Sequence, residues 1–287
     1  SLLATQPGNP VLLADRLRGC LGSKQYALAT QDAQALLAQD PANETYKFYL
    51  SIALGKTPET QPGEFVSTMF DGAAAQFDQQ VIGQLQYRLP GEIAQRIHEW
   101  HPDRKGDILD LGCGTGLLGA SLGPINGVLV GVDLSQNMIT QATRHNVYDR
   151  FHLVNLLDAL SATPGDLYNV VTALDMMIYV GKLDQVIPDA YRILAPGGRF
   201  VFSCESGPDA RTDYMLHDNY RYTHQRPYVQ RLLEESGFTG ITLEDRVIRQ
   251  ELGEPVQGFL VIALKPEPNT ANSVRRVAKS AKPARVA

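Results

Sequence analysis

From Gly106 onward, short apolar segments alternate with helical patterns, and this alternation limits the possible folds more than any other feature of the chain. The apolar segments read DILDLG, GVLVGVDL, FHLVNL, NVVTALDMM, GRFVFSCE, ITLEDRVIRQ and GFLVIAL. Helical patterns fall between them near Leu117–Leu122, Asn137–Arg144, Leu183–Leu194 and Tyr228–Ser236. Strands that are apolar on both faces and separated by helices belong in a parallel sheet covered on both sides. The last two segments follow each other without room for a crossover helix, so they pair antiparallel at the sheet edge. The expected fold is α/β, a doubly wound, seven-stranded and mostly parallel sheet with the last strand antiparallel.

Upstream, residues from about 11 to 58 read helical. In SKQYALATQDAQALLAQDPANETYKFYLSIALGK, Tyr26, Ala29, Ala33, Leu36 and Leu37 recur at helical spacing. Asp40-Pro41 breaks that helix, and Tyr46, Tyr49, Leu50 and Ala53 form a second stripe. The spacing predicts a helical hairpin whose apolar faces need a neighbour, so it packs on the following domain or dimerises it. KTPETQPGE, residues 56–64, is the polar linker at the boundary. The expected organisation is a helical segment over 1–63, a sheet domain over 64–265 whose first part, 64–105, caps it with helices interrupted at Pro90, and a tail over 266–287.

The net charge of −5 conceals an asymmetry. Lys265, Arg275, Arg276, Lys279, Lys282 and Arg285 against Glu267 alone give the end of the chain +5, leaving −10 on the rest. Without aromatics and rich in Ala, Ser and Pro, that end reads as a solvated, flexible tail. No apolar stretch approaches the roughly 20 residues of a membrane span. Cys20, Cys113 and Cys204 are far apart, which suggests neither disulfides nor a metal site. A cytoplasmic setting with no metal is the expectation.

The stretch GDILDLGCGTGLLG puts a glycine-rich bend directly after the first strand, where doubly wound sheets bind ligands. Gly114, Gly116 and Gly119 also satisfy the short dinucleotide pattern. Charge separates the readings. A pyrophosphate at this bend would face Asp110, at a cost on the order of 4 kcal/mol for a separation of about 4 Å and an effective dielectric near 20. A ligand with a sulfonium and an ammonium beside the bend would instead be attracted. Asp133 ends the second strand, where a ribose diol needs a two-oxygen acceptor; capping the following helix is its structural alternative.

The successive stretches DILDLGCGTG, GVDLSQNMI, NVVTALDMMIYVG and RILAPGGRFVFS resemble, in order and spacing, the motifs of class I S-adenosylmethionine-dependent methyltransferases, which have a Rossmann-like sheet. With the tetratricopeptide-like (TPR-like) start, the whole chain resembles a bacterial group of TPR-containing methyltransferases. The resemblance implies S-adenosylmethionine as cofactor and S-adenosylhomocysteine as product. It assigns Asp110 to the methionine ammonium, the backbone of Gly112, Cys113, Gly114 and Gly116 to close approach, and Asp133 to the ribose. Leu134 and Met138 would lie near the adenine. Asn155 with Leu156, or Asp158 nearby, would receive the adenine amino group, and Leu174 and Asp175 would flank the methionine end.

Two segments should shape the acceptor side. In MFDGAAAQFDQQVIGQLQYR, Phe70, Phe77 and Tyr87 are positioned to close over the cofactor and Arg88 to meet a carboxylate. In CESGPDARTDYMLHDNYRYTHQRPY, His224, Tyr222, Glu205 and His217 are candidate bases, in that order. APGGRF reads as a helix stop and turn into the fifth strand, and no neighbouring residue activates the Cys113 thiol. The expected function is methyl transfer to a small-molecule acceptor by direct displacement, without nucleic acid or membrane as partner. The alternatives are a protein or peptide acceptor captured by the helical repeat, an NAD-dependent oxidoreductase, and a non-catalytic adaptor.

Overall fold

The computed structural model describes residues 6, 8–74, 77, 86–208 and 211–268. Three helices open it: α1 (Pro10–Gly22), α2 (Tyr26–Gln39) and α3 (Glu44–Ala53). Asn9 caps α1 by accepting from the amides of Val11 and Leu12, and Asn43 caps α3 by accepting from Tyr46. Leu13, Leu17, Ala29, Ala33, Leu36, Phe48 and Tyr49 form their common core. Arg16 reaches from α1 to Asp32 of α2 at 2.5 Å. The expected hairpin is α2–α3, and α1 adds a third helix to it. Tyr26, counted in the apolar stripe, is exposed because it sits at the helix start.

The linker is bound along its length rather than free. Thr60 bridges Val180, Gln61 N donates to Tyr179 O, and Glu59 O accepts from Gly181 and Lys182. Among the described residues the cap helices α4 (Gly63–Ala73) and α5 (Leu89–Trp100) follow. Pro90 lies in the first turn of α5, where its missing N–H costs nothing, so it starts a helix instead of interrupting one.

The sheet strands are β1 (Ile108–Leu111), β2 (Leu129–Asp133), β3 (Arg150–Leu153), β4 (Tyr168–Ala173), β5 (Leu194–Glu205), β8 (Thr239–Glu251) and β9 (Glu254–Leu264), in the order β3-β2-β1-β4-β5-β9-β8. All pairings from β3 to β5 are parallel, and β9 runs antiparallel between β5 and β8. The seven-stranded, Rossmann-like sheet expected from the sequence is therefore present. Its crossover helices are α6 (Leu117–Leu122), α7 (Gln136–Ala142), α8 (Leu156–Ala162), α9 (Val186–Ile193) and α10 (Arg226–Ser236). The sequence reading missed α8, whose seven residues follow β3 without a glycine or proline signal. One sheet face packs on α8, α9 and α10, and the other on Leu89, Ile93 and Ile97 of α5 with Leu118 and Leu122 of α6.

A small hairpin, β6 (Tyr214–Leu216) and β7 (Tyr222–His224), rises beside the sheet's carboxyl edge. The Tyr220 ring in its turn lies 5.8 to 6.1 Å from those of Phe48, Tyr49 and Phe65. The N-terminal helices thus pack on the sheet domain through this hairpin. Lys265, counted with the basic tail, directly follows β9 and is tied to the sheet domain instead: its ammonium lies 2.6 Å from both Asp166 and the Leu194 carbonyl. Arg275, Arg276, Lys279, Lys282 and Arg285 lie outside the described residues. Among the described residues no helix is long and apolar enough to cross a membrane.

Candidate active site

Strand order reverses at β1, and the chain leaving it forms the floor of a cavity of about 300 Å³. Gly112 and Cys113 both donate to Val132 O, which turns the backbone sharply. Gly112 has φ 68°, and a Cβ there would stand 2.5 Å from Met176 Cγ, so only glycine fits. Gly114 and Gly116 share the left-handed conformation.

Asp110 lines the cavity yet is 3 % exposed. It accepts from Tyr148 Oη at 2.7 Å and from Thr172 Oγ1 at 2.8 Å. Burial pushes its carboxyl up to about 6, against the pull of these two hydrogen bonds. Tyr148 comes this close because Gly119 offers no side chain, and the Gly119 amide donates to the same phenol oxygen. Sequence reasoning missed Tyr148 and Thr172, which lie far from Asp110 along the chain.

Asp133 joins the end of β2 to the glycine bend: Oδ2 accepts from Gly114 N at 2.8 Å and Oδ1 from Ser135 N at 2.9 Å. The capping role falls to Ser135, whose Oγ accepts from Met138 N and donates to Asp71 on α4. Burial raises the Asp133 carboxyl above its ordinary value. Leu134, Met138, Leu156, Leu174, Asp175 and Tyr87 line the same cavity. Cys113 lines it too, its thiol pushed well up by burial.

Asn155 and Asp158 border a second cavity, of about 440 Å³, which shares Leu134, Leu156, Met176 and Tyr179 with the first. Asn155 caps α8, accepting from Asp158 N and donating to the Asp158 carboxylate. Both groups are thus engaged with each other. Arg88, expected at the site, is exposed at the start of α5 and outside the cavity lining. Two other guanidiniums line it: Arg221, within the RYTH stretch, and Arg249, an inward residue of β8. Nothing in a strand pattern marks Arg249 as buried, because an isolated arginine there reads as solvent-facing.

None of the four candidate bases lines this cavity. His224 is 1 % exposed, with Nε2 at 2.9 and 3.0 Å from the carbonyl oxygens of Val180 and Gly181. Burial lowers it to about 4, so a neutral ring donates from Nε2 and stitches β7 to the segment after β4. The Tyr222 hydroxyl donates to Pro58 O, and burial raises its phenol. His217 Nε2 faces Thr223 Oγ1 at 2.8 Å. Glu205 is ion-paired with Arg249. The Tyr222 hydroxyl and His224 Nε2 are taken by backbone carbonyls and neither residue reaches the cavity, which speaks for structural roles in place of the expected ones; His224 Nδ1 is buried without a partner among the described residues.

A glycine bend closed to a Cβ at Gly112 and Gly116, with one buried acid under it and a second accepting from the Gly114 amide, fits a ligand with a cationic end and a diol. It has the form of a class I methyltransferase site. A family model described as a methyltransferase domain matches residues 83–243, and the chain belongs to this family of S-adenosylmethionine-dependent methyltransferases. The chain is similar to a ubiquinone biosynthesis O-methyltransferase of Hydrogenovibrio crunogenus, 33% identical over 33% of this chain and 41% of that one. It is also similar to a demethylmenaquinone methyltransferase of Symbiobacterium thermophilum, 30% identical over 52% of this chain and 62% of that one. The chain therefore spans less than two thirds of these curated relatives. Among solved structures, magnesium protoporphyrin IX methyltransferase from Synechocystis PCC 6803 with bound S-adenosylmethionine shares the fold, with TM-score 0.51 and 18% identity over 71% of this chain and 96% of that one.

Proposed function

We propose that the protein transfers a methyl group from S-adenosylmethionine to a small-molecule nucleophile. The observation that carries this reading is the pair Asp110 and Asp133 on either side of the glycine bend. Asp110 would attract the α-ammonium and Asp133 would take the ribose hydroxyls, with Leu134, Met138 and Leu156 against the adenine. When bound, S-adenosylmethionine supplies a methyl group already activated on a sulfonium. The protein's share is alignment and exclusion of water. Phe70, Phe77, Tyr87 and Tyr179 give the cavity an aromatic wall suited to a flat, mostly apolar acceptor.

The quinone-pathway names of the relatives agree with such an acceptor. Capture of a peptide by α1–α3 has less support, since their apolar faces are spent on one another and on Tyr220. Isothermal titration tests the reading. S-adenosylhomocysteine should bind with micromolar affinity while NAD gives no heat. NAD binding without S-adenosylhomocysteine binding would reverse the assignment.

A further inference from the structure

With no expected base facing the cavity, the proton of a hydroxyl or ammonium acceptor has no assigned destination. We propose that the carboxylate of Asp175 faces the transferred methyl and takes that proton, and that Arg249 is its positioning residue. The inference rests on the methyl-transfer reading above.

Asp175 lies just beyond β4 and lines the cavity, its side chain 22% exposed. Its backbone is left-handed, φ 53°, an unusual conformation for a residue other than glycine. Such strain persists where surroundings impose it, and it concentrates at functional sites. Here the Asp175 amide donates to Ser203 Oγ of β5 at 2.7 Å, which locks the bend. Arg249 Nη1 donates to Oδ1 at 2.6 Å. The Arg249 bond engages Oδ1, and among the described residues Oδ2 meets no donor.

Arg249 is itself immobilised. Its side chain is 2% exposed and is ion-paired with Glu205 and, at 3.0 Å, with Glu251. Glu251 in turn holds Arg221. The charged and titratable groups facing Asp175 are therefore Arg249, Arg221, Glu205 and Glu251, together with the phenols of Tyr87 and Tyr179. Three carboxylates against two guanidiniums leave the group net negative, which favours a cationic or proton-bearing partner. Burial raises the Asp175 carboxyl, bringing it toward the range where a carboxylate accepts a proton usefully.

The acceptor class follows: a phenolic hydroxyl or an ammonium, not a thioether. The acceptor's X–H proton passes to Oδ2. The freed electron pair forms the X–CH3 bond, and the S–CH3 bond breaks with its electrons retained by sulfur, leaving a neutral thioether and a protonated Asp175.

Sinefungin tests this without knowledge of the acceptor, because it carries a protonated amine where the donor carries its methyl. Its affinity is compared with that of S-adenosylhomocysteine, which lacks any group there. The Asp110 contact is common to both ligands and cancels in the ratio. The wild-type protein should prefer sinefungin by about tenfold or more, the scale of one charge-assisted hydrogen bond. That preference should fade as pH drops through the carboxyl's raised value. Asp175→Asn should bring the ratio near unity at all pH values, the ratio itself absorbing any change in S-adenosylhomocysteine affinity; asparagine tolerates the left-handed backbone. Arg249→Lys should move the pH midpoint upward, which loss of packing alone would not do. An unchanged ratio in Asp175→Asn, or no preference in the wild type, overturns the proposal. Failure of S-adenosylhomocysteine to bind at all would instead overturn the methyl-transfer reading and this one with it.

Discussion

Asp110 and His224 are both buried titratable groups, and burial acts on them in opposite directions. Asp110 holds its proton in the folded state up to about 6 against an ordinary 3.8. Folding therefore gains stability as pH falls from 6 toward 3.8, and at neutral pH the buried charge costs about 3 kcal/mol. His224 takes its proton only near 4 when folded, against 6.5 unfolded. Stability is therefore lost as pH falls from 6.5 toward 4, also by about 3 kcal/mol. In the wild type the two nearly cancel over this window. Asp110→Asn removes the compensating half, so urea midpoints should fall more steeply below pH 6.5 in the variant, with neutral-pH stability equal or higher. The same variant should bind S-adenosylhomocysteine about tenfold more weakly at pH 8, since an ion pair is lost. Wild-type affinity itself should decline as pH drops below about 6 and the carboxylate is neutralised. A variant with unchanged affinity would remove Asp110 from the site.

At the level of elements, the hairpin β6–β7 joins the two halves of the chain. Its Tyr220 ring fills the aromatic cluster with Phe48, Tyr49 and Phe65, and the Tyr220 carbonyl accepts from the Gln61 side chain. Tyr220→Ala should cost about 2 to 3 kcal/mol, less than a fully buried aromatic because the residue is only partly buried. Chemical denaturation should then resolve a first transition in which α1–α3 separate from the sheet domain, whereas a single unshifted transition would argue against the cluster as the joint. The motif strands and the glycine bend were legible because their signals are local: apolar runs, glycine at special φ, a turn residue at each boundary. The hairpin β6–β7 was not, since its three-residue strands carry too little pattern to distinguish them from loop. Pro90 was legible as punctuation but not in sense, because proline serves equally to stop a helix and to begin one.

The whole molecule builds its cavity from distant parts: the cap helix α4, the bend after β1, the segment after β4, the turn before β7 and strand β8. A ligand bridging these parts couples their stabilities. S-adenosylhomocysteine at a hundred times its dissociation constant should stabilise the folded protein by about 2.7 kcal/mol, raising the melting temperature by several degrees. NAD at the same concentration should leave it unmoved. A scan in which neither compound shifts the melting temperature would mean that the cavity does not hold a nucleoside ligand.

What the sequence determined by itself was whatever depends on neighbours along the chain: seven strands, the glycine bend, and the two acids placed at strand ends by the period of the backbone. Which side chains surround those acids depends on packing across the sheet. Thr172 meets Asp110 from the adjacent strand β4 and Tyr148 from the loop before β3, while Arg249 meets Asp175 across β5 and β9. His224, the leading base by residue type, was turned away from the cavity by the carbonyls of Val180 and Gly181. Residue chemistry is written locally, but the direction in which a side chain points is decided by the partners that folding supplies.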